Sequence, residues 1–220
     1  MNGKKKTEKS WRGYLILKEV NPVIRILTIS DIMVIGGYGL IAPIFAIFIT
    51  DTIPGGSVEV AGIASAIYII AQSVFQIPLA AVVDRIKGER DDFWALFVGS
   101  VAFSIVPLFY LMISTPMQLY IVQFLYGLAT AATLPSWYAI FCRHLDKDHT
   151  GLEWGVYRTL TDSAGAGAAF IGGLMAYRYG FDPLFLMVSL TSFIGTMFLL
   201  GVYKKMRKGK ILKKHHKKSK

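Results

Sequence analysis

The chain has 220 residues, 54% of them hydrophobic, with 24 Lys and Arg against 14 Asp and Glu and a net charge of +10. Residues 93–142 carry no charge and are interrupted only by Ser114, Thr115 and Pro116. That run excludes a water-soluble domain, because about 20 apolar residues suffice to cross a bilayer as a helix.

In chain order, residues 1–21 form a basic lead in which Trp11, Tyr14, Leu15 and Leu17 alternate with Arg12, Lys18 and Glu19. A short helix lying at the membrane surface and a plain topogenic tail both fit this pattern. No small-residue cleavage site follows a short apolar core, so no cleavable signal peptide is expected. Asn21-Pro22 is a helix-start signal. A domain of six apolar segments then spans 22–203, at about 23–50, 59–83, 93–113, 117–142, 153–177 and 183–203. Backbone groups in lipid must bond internally, so the expected fold is all-α with six transmembrane helices. The short alternating segments of a membrane barrel are absent. Residues 51–56 and 180–183 read as turns.

The polybasic tail, 204–220, suits anionic lipid headgroups. His215 and His216 within it lack further ligands, so no metal is expected, and no cofactor either. The single cysteine, Cys142, excludes an internal disulfide. The bases sit in flanks and loops with no folded basic domain to hold them, which excludes a nucleic-acid partner.

Charge sets the expected orientation. Seven Lys and Arg precede Ile26, three lie in 84–92, three in 143–158 and ten follow Tyr203, which leaves only Arg178 among the alternate connections. Both termini are therefore expected on the cytoplasmic side of the cell's inner (plasma) membrane.

Polar residues fall on helical faces. In the fourth segment Gln123, Tyr126, Thr130, Thr133 and Trp137 recur at steps of 3 and 4. In the second, Ser65, Tyr68, Gln72 and Gln76 share a face, and in the first Asp31 and Tyr38 lie two turns apart. Segments one, two and four are expected to line a polar cavity with Tyr38, Gln72, Gln76, Gln123, Tyr126, Thr130 and Trp137, leaving three and six to lipid. The plain alternative is that the glutamines only bond between helices. The fifth segment repeats small residues at four-residue spacing, Ala164, Ala168 and Gly172 beside Gly165, Ala169 and Gly173. Such a face admits close approach of another helix.

Two acids lie inside the apolar segments. Asp31 and Asp162 each sit nine residues into their helix, ~13 Å deep at 1.5 Å per residue. An ionised carboxylate there costs about 2.5–3.5 kcal/mol on insertion scales. Arg158 precedes Asp162 by four residues and pairs with it across one turn. Asp31 has no such neighbour, which makes it the candidate for carrying a proton, with a structural role as the alternative.

Together these pieces resemble the amino-terminal half of a major facilitator superfamily transporter. The stretch 78–90 resembles the family's loop signature, a Gly, three residues, then Asp-Arg-x-Gly-Arg. Its Asp-Arg core is intact in Asp84 and Arg85, while Ala80 replaces the leading glycine, one extra residue precedes Gly88, and Arg90 stands one position beyond the motif's arginine. The fifth segment is similar to the antiporter motif of drug-proton exchangers, with Gly155, Ala164, Ala168, Gly172 and Gly173 in register and Ala169 in place of its proline. Gly37, Gly39 and Pro43 resemble the same group's Gly-rich stretch before a proline, and residues 180–185 its turn into the sixth helix.

The resemblance implies one half of a two-bundle fold built of 3+3 helices, so a second copy or a separately encoded half is expected as partner, beside lipid and a small solute. It implies proton-coupled transport or efflux by a half-size carrier working as a dimer. A scaffold or regulatory subunit with the same half-fold is the alternative. An intramembrane enzyme is excluded on the residues: no metal-binding aspartate group spans adjacent helix ends, and no Gly-x-Ser-Gly turn occurs.

Overall fold

The computed structural model describes residues 11–85 and 88–218, with side chains placed as far as residue 206. Residues 1–10 of the basic lead, Lys87 of the loop motif, and His215 and His216 as side chains lie outside it. The described residues form helices only: α1 (Trp11–Leu15), α2 (Pro22–Gly39), α3 (Phe45–Thr52), α4 (Val58–Arg85), α5 (Glu89–Phe109), α6 (Pro116–His144), α7 (Thr150–Tyr179) and α8 (Asp182–Lys218).

Local sequence sets the ends. The Asn21 side chain accepts from Val23 N–H at 2.9 Å and Pro22 opens α2, where its missing N–H is no loss. Thr115 caps α6 ahead of Pro116, and the Gln118 side chain reaches back to Ser114 N–H at 2.8 Å, a reciprocal cap. Gly180, at φ +77°, closes α7 in a conformation that L side chains rarely adopt.

Among the described residues, five stretches are long and apolar enough to cross a membrane: Pro22–Thr52, Val58–Arg85, Glu89–Met112, Pro116–His144 and Asp182–Met206. Helix α7 has 30 residues, which is length enough, but it carries Glu153, Arg158 and Asp162 together with many Gly and Ala, so its composition is much less apolar. The first of the five is not one continuous helix. It breaks between Leu40 and Ile44, where a 3-10 turn (Ala42–Ile44) with Pro43 in its first turn joins α2 to α3.

The helices pack in an arc: α4 on α6, α6 on α5, α5 on α8, α8 on α2, and α2 on α7. Two apolar cores hold it. One, at the end bearing both chain ends, gathers Tyr14, Ile24, Phe93, Phe141 and Val202. The other, at the far end, gathers Ile49, Tyr110, Leu119, Phe185 and Val188.

Small residues bring the first span close to two neighbours. A Cβ on Gly39 would lie 2.8 Å from the Gly165 carbonyl oxygen, and one on Gly172 would fall on the Leu40 backbone. On the other side, a Cβ on Gly195 would lie 2.8 Å from the Ser30 carbonyl oxygen, and Ser30 Oγ donates to Gly195 O at 2.8 Å. The Ala168/Gly172 face of α7 therefore finds its partner within the chain.

Burial within the bundle differs among the segments. Only 6% of the apolar stretch of α4, the second segment, is buried, against 44% of that of α8, the sixth. The reason is hydrogen bonding between helices. Ser189 Oγ donates to Ser104 O at 2.7 Å, and Thr196 Oγ1 lies 3.4 Å from Ser100 O, so the hydroxyl face of α8 turns inward against α5.

The two glycine faces of α7 should respond differently to bulk. We expect Gly172→Val to lower stability by about 1–3 kcal/mol, because the Leu40 backbone cannot yield. Gly173→Val, whose Cβ meets nothing, should stay within about 0.5 kcal/mol of the parent. Thermal melting of both variants in detergent checks this; equal melting would refute the packing assigned to α7.

Candidate functional site

Asp31 lies on α2 in a cavity of about 270 Å³, walled by Ser30, Phe103, Thr130, Trp137, Tyr157 and Arg158 among others. The Tyr157 hydroxyl, from α7, donates to Asp31 Oδ2 at 3.0 Å. Tyr157 is the partner the sequence reading missed, and its signal was present. It stands one turn before Thr161 on the α7 face that continues through Ala164, Ala168 and Gly172 toward α2. Asp31 makes no ion pair among the described residues. Arg158 borders the same cavity but pairs with Asp162 at 3.1 Å, on side chains 64% and 58% exposed. So exposed a pair adds little to stability. The indole of Trp137, 7% exposed, also stands on the wall of this cavity.

A second cavity of about 200 Å³ lies toward the far end, where the first span breaks. Tyr38, Ala42 and Phe45 contribute from that break, Ser65 and Tyr68 from α4, Gln123 and Tyr126 from α6, and Tyr110 from the end of α5. The Tyr110 hydroxyl donates to Gln123 Oε1 at 2.8 Å. The rings of Tyr38 and Tyr68 stand 6.2 and 5.6 Å from that of Tyr126, close enough to form an aromatic enclosure.

The two cavities share a partition. The Tyr126 ring lies 4.6 Å from Phe103, which walls the Asp31 cavity, and the Tyr68 hydroxyl lies 3.4 Å from Thr130 Oγ1. The structure thus sorts the candidate lining residues. Tyr38, Gln123 and Tyr126 meet in one cavity, and Thr130 and Trp137 join Asp31 in the other. Gln72 and Gln76 line neither and are half-buried along α4. A larger groove of about 640 Å³ between α4, α5 and α6 is apolar except for Asp91 and offers no constellation of polar groups.

At the end bearing the termini, Asp84 and Arg85 close α4 with exposed side chains, Gly88 precedes α5, and Arg90 lies 5.8 Å over the Tyr203 ring. Two acids are buried in this region: Glu153 accepts from Asp146 N–H at 3.0 Å, and Asp92 pairs with Arg143 at the end of α6. Tyr14 of α1 is fully buried beside the α6–α7 connection, its hydroxyl 3.4 Å from Asp146 Oδ2 and its ring 5.6 Å from His149. The described part of the lead thus packs against the bundle end. On α7, Ala164 faces Gly36 and Ala168 faces Gly39, whereas a Cβ on Gly155 or Gly173 would meet open space.

Comparison with known proteins defines the class. The in meso crystal structure of the POT family transporter PepTSo superposes with a TM-score of 0.69 at 14% identity, over 83% of this chain and 37% of that one. The two share a fold. The sequence profile of the Major Facilitator Superfamily matches residues 27–219, and the chain belongs to that family. Multidrug resistance protein MdtG of Klebsiella pneumoniae (strain 342) is 25% identical over 167 residues, which is 74% of this chain and 39% of the relative. The chain spans about two fifths of the length of these proteins.

The Asp92–Arg143 pair is open to a direct check. Arg143→Ala strands a carboxylate whose side chain is 3% exposed, and we expect a loss of about 1–3 kcal/mol. The loss is held to that range because the Arg143 side chain is 41% exposed and solvent screens the pair. The double variant Asp92→Leu/Arg143→Met should recover most of it. Melting of the single and double variants decides, and an unaffected Arg143→Ala would remove the pair from the account.

Proposed function

We propose that this chain forms a six-helix half of a proton-coupled secondary transporter that moves a small solute, in the direction of efflux, as an antiporter. In this reading α7 crosses the membrane as the sixth span. Its 30 residues reach ~45 Å, and it lies along α2, itself part of a span. Both chain ends then face the cytoplasm from the inner membrane, as the distribution of Lys and Arg requires. The bundle works against a second one, supplied by another copy of this chain or by a separately encoded half. The placement of α4 and α7, each packed mainly along a single neighbour, supports that arrangement.

The observation that carries the proposal is Asp31, an acid deep in a span whose hydrogen-bond partner is a neutral tyrosine hydroxyl. A carboxylate held by a cation has little reason to take up a proton. One held by a neutral donor in an apolar bundle is stabilised less as an anion, so proton uptake and release become accessible events. When Asp31 loses its proton, Arg158 is the cation that borders its cavity, one residue beyond Tyr157 on the same helix. Exchange of Arg158 between Asp162 and Asp31 would then tie the charge of the first span to the position of α7. Rocking of one bundle on the other supplies alternating access.

Proton-driven solute flux in proteoliposomes tests this, with currents recorded on a solid-supported membrane across a panel of small organic solutes. Asp31→Asn should cut proton-coupled flux at least ~10-fold, the order of effect expected when a positioned proton carrier is removed, while leaving solute counterflow in place. Unchanged coupling in Asp31→Asn would take Asp31 out of the mechanism. Crosslinking in native membranes tests the second bundle; a strictly solitary chain that still moves solute would refute it.

A further inference from the structure

The lead into the first span ends in a hook. Helix α1 is closed by Leu17, at φ +56°, with Leu17 N–H donating to Tyr14 O at 2.8 Å and Lys18 N–H donating to Gly13 O at 2.9 Å. This is the hydrogen-bond pattern of a helix C-terminal cap whose left-handed residue is ordinarily glycine. A leucine there is strained backbone, which persists only where its surroundings hold it. The Leu17 side chain packs against the core at this end of the bundle, where Tyr14 and Val20 are buried. The inward residues therefore fix the hook. Its other side is uncovered: Trp11 and Ile16 are 61% and 60% exposed, and Arg12, Leu15 and Lys18 are exposed with them. At about 100° per residue, Trp11, Arg12, Leu15 and Ile16 share an arc of ~140°, and Tyr14 falls outside it.

We propose that this outer face is a docking surface for an anionic phospholipid bilayer. The Trp11 indole and the Leu15 and Ile16 side chains enter the headgroup layer, and Arg12 and Lys18 meet lipid phosphates. Three observations select this partner. The first is the make-up of the face, since an exposed apolar patch beside bases marks a contact surface and tryptophan favours the bilayer interface. The second is position. The first span starts at Pro22, six residues after Ile16, and six residues reach at most ~21 Å, so the face stays at the membrane surface. The third is charge. Residues 1–25 carry seven Lys and Arg against Glu8 and Glu19, which suits an anionic surface. A second copy docked face to face would set these bases against their own kind. On the inner side of the hook, Tyr14 meets Asp146 and His149 in the connection that leads into α7. Lipid held on the outer face thus braces that connection through Tyr14.

The inference does not depend on transport, and its test reads lipid contact on the full chain. The protein is placed in nanodiscs of equal amounts of phosphatidylcholine and phosphatidylglycerol, with bromine high on the acyl chains of one lipid or the other. Bromine quenches the tryptophans it touches, and the difference between the parent and Trp11→Phe isolates Trp11. We expect brominated phosphatidylglycerol to quench Trp11 about twofold more than brominated phosphatidylcholine does, because the bases beside it enrich the anionic lipid. Arg12→Gln/Lys18→Gln should abolish that preference. Raising the salt concentration should abolish it in the parent as well, a readout that needs no variant. Equal quenching by the two lipids, or a preference that survives both the variant and high salt, would overturn the proposal. So would a Trp11 that neither lipid quenches, the result expected if a second copy or another protein covers the face.

Discussion

The close passage of the first span between α7 and α8 is the contact on which the rest of the bundle depends. In hydrocarbon no water is gained by hiding apolar surface, so helices associate through tight packing and hydrogen bonds between them. Here the approach is at the backbone itself, with Gly172 against Leu40 on one side and Gly195 against Ser30 on the other. The contact at Leu40 falls at the point where the helix breaks. That coincidence fixes two things at once. It holds the Asp31 side chain against Tyr157, and it turns Tyr38, Ala42 and Phe45 toward α4 and α6, where the aromatic cavity forms. A bulkier residue at either seam would move both cavities together.

The polar groups inside this apolar bundle divide by how they are satisfied. Most hydroxyls on α5 and α8 bond across to a neighbouring helix or back to their own, and they act as structure. Asp92 is neutralised outright by Arg143 and anchors the end of the bundle. Asp31 is different. It borders a cavity inside a span and is held by the neutral hydroxyl of Tyr157. A carboxylate is costly in a medium that cannot solvate it. Its place in that cavity is the physical argument for a function there. The partition of Phe103, Tyr126, Tyr68 and Thr130 keeps the chambers distinct while letting a change in one be felt by the other.

The apolar stretches and the helix starts at Asn21-Pro22 and Thr115-Pro116 could be read from the sequence, because length without charge and a capping side chain are local signals. The small-residue face of α7 was equally plain, and extended by two turns through Thr161 it would have reached Tyr157. What the sequence hid was tertiary. The close approach of Gly172 to Leu40, beside the break, joins residues far apart in the chain. The ion pair of Asp92 with Arg143 joins the start of one helix to the end of the next across 51 positions. The inward turn of α8 rests on Ser189 and Thr196, residues that in isolation bond as readily to their own helix. The second segment is the least buried of the five apolar stretches, because it packs mainly on α6, with less against α3 and α5.

Whether Asp31 itself takes up and releases a proton inside the bundle is the point on which the functional account turns. Infrared difference spectroscopy of the lipid-reconstituted protein across a pH step reads this directly. The account predicts a protonated-carboxyl stretch that titrates in the parent and is absent from the difference spectrum of Asp31→Asn. A parent spectrum with no titrating carboxyl band, or one that persists unchanged in Asp31→Asn, would contradict it.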